Sequence, residues 1–427
     1  MYLKLQERHP CISPAGEALY RELRQHPDAP PWNYEVGDRL LPEDHPVLQT
    51  FRALPGHIPR TPSDLAVGVF EKIPFYQEFQ LLPWEERPLC SRDDLRLRLP
   101  ELVPDDADFR RLIKYGTSGT EGSMLEIPSH PRCVALNHVL VERALALFGV
   151  ALECGPVPVA AHICAQFHTY TFLSLLSVWG DGAFVKVNLQ EQLWPRTSAR
   201  RYLVALNPQL LTGDPVAFAE LLEWEIPLRP RAILSAAAKL SPALSAALQA
   251  RYHCPVIDWY SLTESGPVAC TDPEQPETLR LFCPDLLVEI TDAQGRPVPE
   301  GQRGELVLSG GRNPYLPLIR YRTGDTAARV GDHLVDFEGR RPLSWRSATG
   351  YPVTPVDLAR VLNRHVWACF QFREENGAFS LRLRPVEGWG IDREGLIGGL
   401  EQILGRSVRL ELVPELGRDG KKVIPWR

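Results

Sequence analysis

The order of apolar and polar residues predicts helices in three parts of the chain. A short helical pattern covers residues 14–26, and a helix is predicted over residues 241–252, where serine suits the N-cap and proline the first turn. The longest pattern lies over residues 133–148, where apolar positions recur at helical spacing. These positions are Val134, Leu136, Val139, Leu140 and Ala144.

Short apolar runs between these helices predict strands. Strands that alternate with helices indicate an α/β body. The runs cover residues 157–163, 183–187, 209–212, 232–234 and 256–260.

The character of the chain changes to β after residue 286, with turn residues between three further runs at 287–291, 304–308 and 318–322. A loop is predicted at 337–346. Beyond it, helices opening at Thr354-Pro355 and at Asp392 predict a small α+β unit. We therefore expect an extension at 1–60, a large domain at 61–338 and a small domain at 339–427.

Composition narrows the class of protein. A chain of 427 residues suggests two or three domains, and 44% hydrophobic with 23% charged residues is typical of a globular protein. The net charge of −6 argues against nucleic acid as a partner. Nine cysteines without a C-x-x-C pair, no secretory signal and no membrane-spanning run predict a cytoplasmic location without a membrane partner.

Residues 115–123 carry the first candidate chemistry. Glycines alternate there with hydroxylated side chains, and such a loop can cradle the phosphates of a ligand with its backbone N–H groups. The segment is neither G-x-x-x-x-G-K-[ST] nor G-x-G-x-x-G. The alternative interpretation is a flexible surface loop.

Residues 258–264 lie at the end of a predicted strand and include an aromatic residue, a hydroxyl and a carboxylate. Tyr260 could stack on a purine, while Thr263 and Glu264 could hold a hard cation through oxygen. A tyrosine and a glutamate in this place can also be purely structural.

Two later segments complete the pattern. In residues 317–325 a strand delivers Asp325 after a glycine turn, and a fixed carboxylate can accept hydrogen bonds from a ribose diol. The alternative is a charged turn with an Arg–Asp pair. Near the end of the chain, Lys421 or Lys422 could neutralise phosphate charge, or belong to an ordinary basic tail.

Taken in this order, the segments resemble the adenylate-forming superfamily of acyl- and aryl-CoA synthetases. Within it, the chain is most similar to the phenylacetate–CoA ligase branch. The similarity spans residues 65–427 and leaves out the first 60. Besides the phosphate loop and residues 260–269, it rests on residues 73–76, 88–96, 304–308 and 317–325.

The resemblance implies an α/β fold with a large two-part N-terminal domain and a small mobile α+β lid at the C-terminus. It also implies that ATP and Mg²⁺ activate a small-molecule carboxylic acid as acyl-AMP with release of pyrophosphate. A thiol, usually coenzyme A, then takes the acyl group. The oligomeric state is left open, with a homodimer as the candidate.

The resemblance also implies roles for individual residues. Thr117, Ser118, Gly119 and Thr120 would hold the ATP phosphates. Ser235, Ala236 and Ala237 would line one face of adenine and Tyr260 the other. Thr263 and Glu264 would position phosphate and magnesium, Asp325 would bind the ribose, Arg340 would lie at the hinge, and Lys421 or Lys422 would be the lid lysine.

The acyl pocket is expected around residues 162–176. Four side chains there could line a flat apolar slot for an aryl or arylacetic acid, or could be core aromatics beside a strand. They are Phe167, His168, Tyr170 and Phe172.

The chain departs from the family pattern in two places. Ser123-Met124 follows the loop where the family has Lys-Pro, and Pro342 stands where an acidic hinge residue is typical. Proline fixes φ, which is unexpected at a pivot. The alternatives are therefore transfer to an amine or a carrier-protein thiol, and a catalytically silent nucleotide-binding homologue.

A structural zinc site is a further open interpretation. Its ligands would come from the region 253–283, but no tight ligand pair supports it against buried thiols. The candidate ligands are His253, Cys254, Cys270 and Cys283.

Overall fold

The structure, a computed structural model, falls into two compact units. The first comprises Met1–Cys11, Asp38–Ala151 and Trp259–Arg341, and the second Ile12–Gly37, Leu152–Asp258 and Pro342–Arg427. The residues described are 3–56, 61, 62, 65, 69–116, 125–165, 169–310, 312–339, 345–350, 352, 353, 355–362, 364–375 and 377–416.

Many helices begin with a cap residue followed by proline, which explains part of the chain's 40 prolines. Ser241 accepts a hydrogen bond from Leu244 N at 3.1 Å, and Asp214 accepts one from Ala217 N at 2.8 Å. The helices in the described residues are Leu5–Arg8, Pro14–Gln25, His45–Ala53, Val69–Lys72, Pro74–Gln77, Arg92–Leu97, Pro131–Leu147, Arg196–Leu206, Pro215–Glu223, Pro242–Tyr252, Pro355–Leu362 and Arg393–Leu404.

The strands are numbered in chain order. They are β1 Ile113–Gly116, β2 Glu126–Ser129, β3 Pro158–Cys164, β4 Phe172–Leu176, β5 Gly182–Asn188, β6 Leu210–Gly213, β7 Ala232–Ser235, β8 Val256–Leu262, β9 Gly266–Thr271, β10 Leu279–Leu281, β11 Leu287–Thr291, β12 Arg303–Gly310, β13 Leu318–Val330, β14 His333–Glu338, β15 Trp345–Arg346, β16 Pro352–Val353, β17 Trp367–Glu375, β18 Ala378–Pro385 and β19 Val408–Leu412.

The first unit is built on an antiparallel sheet with the order β11-β12-β13-β14-β10-β9-β8. Buried side chains from β13 pack with Phe75, Tyr76 and Leu95 in one core cluster. This packing fixes the segment before residue 100 against the strand that carries Asp325.

The second unit contains a mainly parallel sheet with the order β8-β7-β6-β3-β5-β4, in which β4 alone is antiparallel to its neighbour. Ile163, Gly213 and Ser235 lie in register near the carboxyl ends of their strands, and Asp258 of β8 pairs with Ser235. In open α/β sheets, ligands bind outside this edge.

The C-terminal part of the second unit has a core of its own, which includes Trp345, Phe372 and Leu400. Arg384 of β18 reaches from it to the helix Pro215–Glu223, where Nη2 lies 2.7 Å from Glu220 Oε1 and 3.2 Å from Glu223 Oε2. The Arg384 side chain is 9% exposed, so this is a largely buried ionic contact.

The sequence predicts five of these helices and eight of these strands, and one prediction is wrong in an informative way. The run at 318–322 is expected to end in a turn before Asp325, but β13 continues to Val330. Gly324 takes φ +78°, a left-handed conformation that favours glycine, so the strand bends locally without ending.

No helix among the described residues is long and apolar enough to cross a membrane.

We expect the protein to lose stability as the pH falls from 6.5 towards 4. Burial lowers the pKa of His130 and of His138 to about 4, and burial together with the charge of Lys186 lowers that of His162 to about 3. Below pH 6.5 these histidines therefore bind protons in the unfolded chain and stay neutral in the folded chain. The free energy of unfolding falls by up to about 1.4 kcal/mol per pH unit for each histidine.

Urea unfolding at pH 7.0, 6.0 and 5.0 measures this loss, because few carboxylates titrate in that range. The variant His138→Gln should show a smaller decline than the natural chain. An unfolding midpoint that stays constant between pH 7 and 5 would contradict the prediction.

Candidate active site

Tyr260 and Asp325 meet in the first unit. Tyr260 Oη donates a hydrogen bond to Asp325 Oδ2 at 2.6 Å, and the Tyr260 ring lies 4.5 Å from that of Phe337 at an angle of 57°. Both residues are nearly buried, at 9% and 5% exposure. The structure thus brings together the aromatic side chain and the carboxylate that the resemblance assigns to adenine and ribose.

The backbone around Asp325 is held by its neighbour Thr323. Thr323 Oγ1 accepts from Asp325 N at 3.0 Å and donates to Leu306 O at 2.8 Å. This bridge ties the bend at Gly324 to β12. It fixes the position of the carboxylate before any ligand arrives.

Glu264 lies almost completely buried after β8. Its Oε1 accepts hydrogen bonds from Arg92 Nη1 at 2.8 Å and from Tyr321 Oη at 3.1 Å. Arg92 opens the short helix Arg92–Leu97, whose N-cap Ser91 is held by Asp94. An arginine and a tyrosine therefore fix the orientation of the carboxylate, and Thr263 beside it is exposed.

The donor set at this point fits a hard cation. Mg²⁺ is usually bound through one or two carboxylates together with substrate phosphates. Within the described ranges, no group of three or more His, Cys, Asp or Glu residues could hold a metal by itself. A magnesium ion here would rest on Glu264, the Thr263 hydroxyl and the phosphates of ATP.

Arg312 secures the turn that follows Glu264. It pairs with Asp285 through two contacts at 2.8 and 2.7 Å, and its Nη1 donates to Ser265 O at 3.0 Å and to Pro267 O at 3.1 Å. Burial alone would lower the pKa of Arg312, but the charge of Asp285 raises it above its usual range. The arginine therefore stays charged and locks the turn.

Gly266 lies in the same turn with φ +73°. A Cβ atom there would come within 2.7 Å of Asn137 Oδ1 and 2.9 Å of Arg312 Nη1. The position accepts only glycine without a shift of these neighbours.

In the second unit, Ser235, Ala236 and Ala237 follow one another at the carboxyl end of β7. Ala236 N donates to Gly213 O at 2.8 Å, and Ala237 takes φ +70°. Ser235 is fully buried, and its Oγ has no hydrogen-bond partner among the described residues. They thus lie at the sheet edge outside which ligands bind in such folds, and the nucleotide-lining role that the resemblance implies stays a prediction.

The two described pocket aromatics occupy different surroundings. Tyr170 is 59% exposed and its ring lies 4.4 Å from that of Tyr34, whereas Phe172 opens β4 and stacks on Phe184 at 6.1 Å. Asn33 holds this segment, because its Oδ1 accepts from Thr171 N at 2.8 Å. Part of the predicted extension thus positions the aromatic segment.

Several predicted site residues lie outside the described residues, and nothing here bears on their roles. They are Thr117, Ser118, Gly119, Thr120, Phe167, His168, Arg340, Lys421 and Lys422.

The four candidate zinc ligands are all described, and within the described part of the chain no group of three or more His, Cys, Asp or Glu residues could hold a metal ion. All nine cysteines are free. Burial raises the pKa of Cys254 and of Cys283 to about 12.

A sulfoacetate–CoA ligase from Cupriavidus necator is 27% identical over 291 residues, which cover 62% of this chain and 54% of that protein. The chain thus spans about half the length of that ligase.

Solved structures share the fold. A 2-hydroxyisobutyryl-CoA ligase in its postadenylation state aligns with a TM-score of 0.63 at 17% identity, covering 93% of this chain and 96% of that one. An anthranilate CoA ligase with anthranoyl-AMP aligns with a TM-score of 0.54 at 16% identity, covering 74% and 66%.

The AMP-binding enzyme family matches residues 81–313, more than half of the chain. This match covers the phosphate loop, Tyr260 and Glu264, and it ends before Asp325. It confirms the predicted superfamily, while the phenylacetate–CoA ligase branch stays a prediction. The chain therefore belongs to the AMP-binding enzyme family, whose members form adenylates.

Proposed function

We propose that this protein uses ATP to convert a carboxylic acid into an acyl-AMP with release of pyrophosphate, and then passes the acyl group to coenzyme A. The observation that carries the proposal is the pairing of Tyr260 with Asp325, in the same unit as the oriented carboxylate of Glu264. Together they offer an aromatic face, an acceptor for a diol and a ligand for a hard cation.

In the proposed reaction, a carboxylate oxygen of the acid attacks the α-phosphorus of ATP. The bond from that phosphorus to the bridging oxygen breaks, and pyrophosphate leaves with the electron pair. Asp325 would hold the ribose through its hydroxyls while Tyr260 lies against adenine. Such an enzyme works mainly by positioning its reactants and neutralising their charge.

Charge neutralisation would come from several groups. Bound magnesium would draw negative charge from the phosphates, and Glu264 with Thr263 would hold it. Thr117, Ser118, Gly119 and Thr120 would grip the phosphates. Lys421 or Lys422 would approach them from the lid, which we assign to residues 339–427, with Arg340 at its hinge and residues 61–338 as the large domain.

Different observations support the acceptor and the acid. The names of the similar proteins, each a CoA ligase, favour coenzyme A, whereas Pro342 motivates an amine or a carrier-protein thiol. Tyr170 and Phe172 favour an aryl or arylacetic acid. A cytoplasmic location and a homodimer stay predictions.

Pyrophosphate release with a panel of carboxylic acids tests the proposal. We expect release with at least one aromatic acid, and thioester formation only when coenzyme A is added. Full turnover without coenzyme A but with an amine would overturn the assignment of the acceptor. No release with any acid would favour a catalytically silent homologue.

A further inference from the structure

A lysine lies in the middle of a buried strand of the second unit. Lys186 of β5 stands between Val185 and Val187, both fully buried on the opposite face of the sheet. In register, His162 of β3 lies on one side of it and Phe172 of β4 on the other. Lys186 therefore carries its charge on the half-buried face of this strand.

Lys186 is half-buried, and in the described parts of the chain its ammonium has neither a hydrogen-bond partner nor an ion-pair partner. A charge that is partly removed from water without a counter-ion destabilises the fold. An anion from outside the chain would supply the counter-ion that Lys186 lacks among these residues.

Two polar side chains lie in a row with Lys186 across the strands, on the same face of the sheet. His162 Nδ1 lies 2.8 Å from Thr212 Oγ1. The low pKa of His162, about 3, keeps the imidazole neutral at pH 7, with a single N–H group. With the threonine hydroxyl as donor, that proton sits on Nε2, which then offers a hydrogen bond to a ligand.

The row lies near the edge of the sheet at which a ligand is expected. Thr212 and its neighbour Leu234 each come one residue before the carboxyl end of their strand, and Leu234 directly precedes Ser235. Neighbouring strands are about 4.8 Å apart. Lys186 on β5 is therefore three strand spacings from β7, a separation that a substrate with a rigid ring can bridge with the help of the lysine side chain.

We infer that Lys186, supported by His162 and Thr212, binds a second anionic group of the acid substrate. The substrate class is then a carboxylic acid whose ring carries a distal carboxylate or sulfonate. Phe172, next to Lys186 in register, would pack against the ring. The inference rests on the proposed function and deepens it, because it names what distinguishes the preferred acid from a neutral one.

The variant Lys186→Met tests the inference, since methionine keeps the length of the side chain and removes the charge. The substrates are phenylacetate, 4-carbamoylphenylacetate, 4-carboxyphenylacetate and 4-sulfophenylacetate, and the readout is kcat/KM for pyrophosphate release. The natural chain should prefer a dianionic acid to the matched amide. Lys186→Met should lower kcat/KM for the dianionic acids by about 10- to 100-fold, the effect of losing one charge-assisted hydrogen bond, and should affect phenylacetate much less.

Two further variants serve as controls. Lys4→Met removes an exposed lysine and should behave like the natural chain, while Lys186→Arg should keep the preference for a dianion. Equal rates for all four acids in the natural chain, or an equal loss for all four in Lys186→Met, would overturn the inference while leaving the proposed function intact. The preferred anion shows whether the site takes a carboxylate or a sulfonate.

If no acid releases pyrophosphate, the proposed function fails, and calorimetric titration with 4-carboxyphenylacetate still tests the subsite. Binding that Lys186→Met abolishes would support the anion site. Binding that is absent, or that does not depend on Lys186, would overturn it.

Discussion

Replacing Glu264 by glutamine should slow pyrophosphate release by about 100- to 1,000-fold, as the loss of one preorganised electrostatic group does in other enzymes. Glutamine keeps the shape of the side chain and can still accept from Tyr321 Oη, but it removes the negative charge that a hard cation needs. Single-turnover release at saturating ATP measures the effect. If the variant needs a higher Mg²⁺ concentration to reach its full rate, the lost activity is due to weaker binding of the metal.

The matched control is Glu142→Gln, which removes the carboxylate of another Arg–Glu pair in the same unit. Arg52 Nε lies 2.8 Å from Glu142 Oε2 in a partly exposed setting, where such pairs contribute little. This variant should turn over like the natural chain. A normal rate and a normal Mg²⁺ requirement in Glu264→Gln would rule out the metal-binding role.

Replacing Asp325 by alanine should raise the KM for ATP by about 100-fold or more. The carboxylate would accept two hydrogen bonds from the ribose diol, and hydrogen bonds to a charged group contribute about 1.5–3 kcal/mol each. Steady-state kinetics with ATP and 2′-deoxy-ATP measures the loss. The natural chain should discriminate between the two nucleotides, and Asp325→Ala should not.

Tyr260→Phe separates the role of the tyrosine hydroxyl from that of the Asp325 carboxylate. It removes the hydroxyl that donates to Asp325 and keeps the aromatic face, so we expect it to preserve the discrimination against 2′-deoxy-ATP. If Asp325→Ala still distinguishes the two nucleotides as well as the natural chain does, the carboxylate does not bind the ribose.

Local patterns in the sequence predict the residues that offer chemistry. Tyr260, Glu264 and Asp325 each follow a strand signal or a glycine turn, and the structure places Tyr260 against Asp325, 65 positions apart in the chain. Their order carries the prediction, because each segment alone is compatible with a plain structural role.

The residues that position them are not predictable in this way. Arg92 is 172 positions from Glu264 and Tyr321 is 57 positions away, so only the folded topology brings them to one carboxylate. Arg92 lies in a segment that contributes to the family resemblance, yet nothing local to it indicates its partner. Arg312 likewise gives no periodic or motif signal.

The helix Pro215–Glu223 is one of seven helices of the described residues that the sequence analysis does not predict, although its start signal is present. Asp214-Pro215 has the same cap as Ser241-Pro242, but the helix Pro215–Glu223 buries apolar residues around most of its surface. Its apolar positions therefore show no single-sided spacing. Periodicity identifies helices that lie between core and solvent and misses those packed on several sides.

That same helix receives Arg384, and the nature of the contact bears on how the chain could rearrange. The contact has an ionic part, Arg384 with Glu220 and Glu223, and an apolar part, in which Val216 of the helix packs against Cys369, Val413 and Leu416. Because the ionic side chains are largely buried, dissolved salt screens them only weakly, whereas removing one partner leaves an uncompensated buried charge. Turnover should therefore respond to Arg384→Met much more than to added salt.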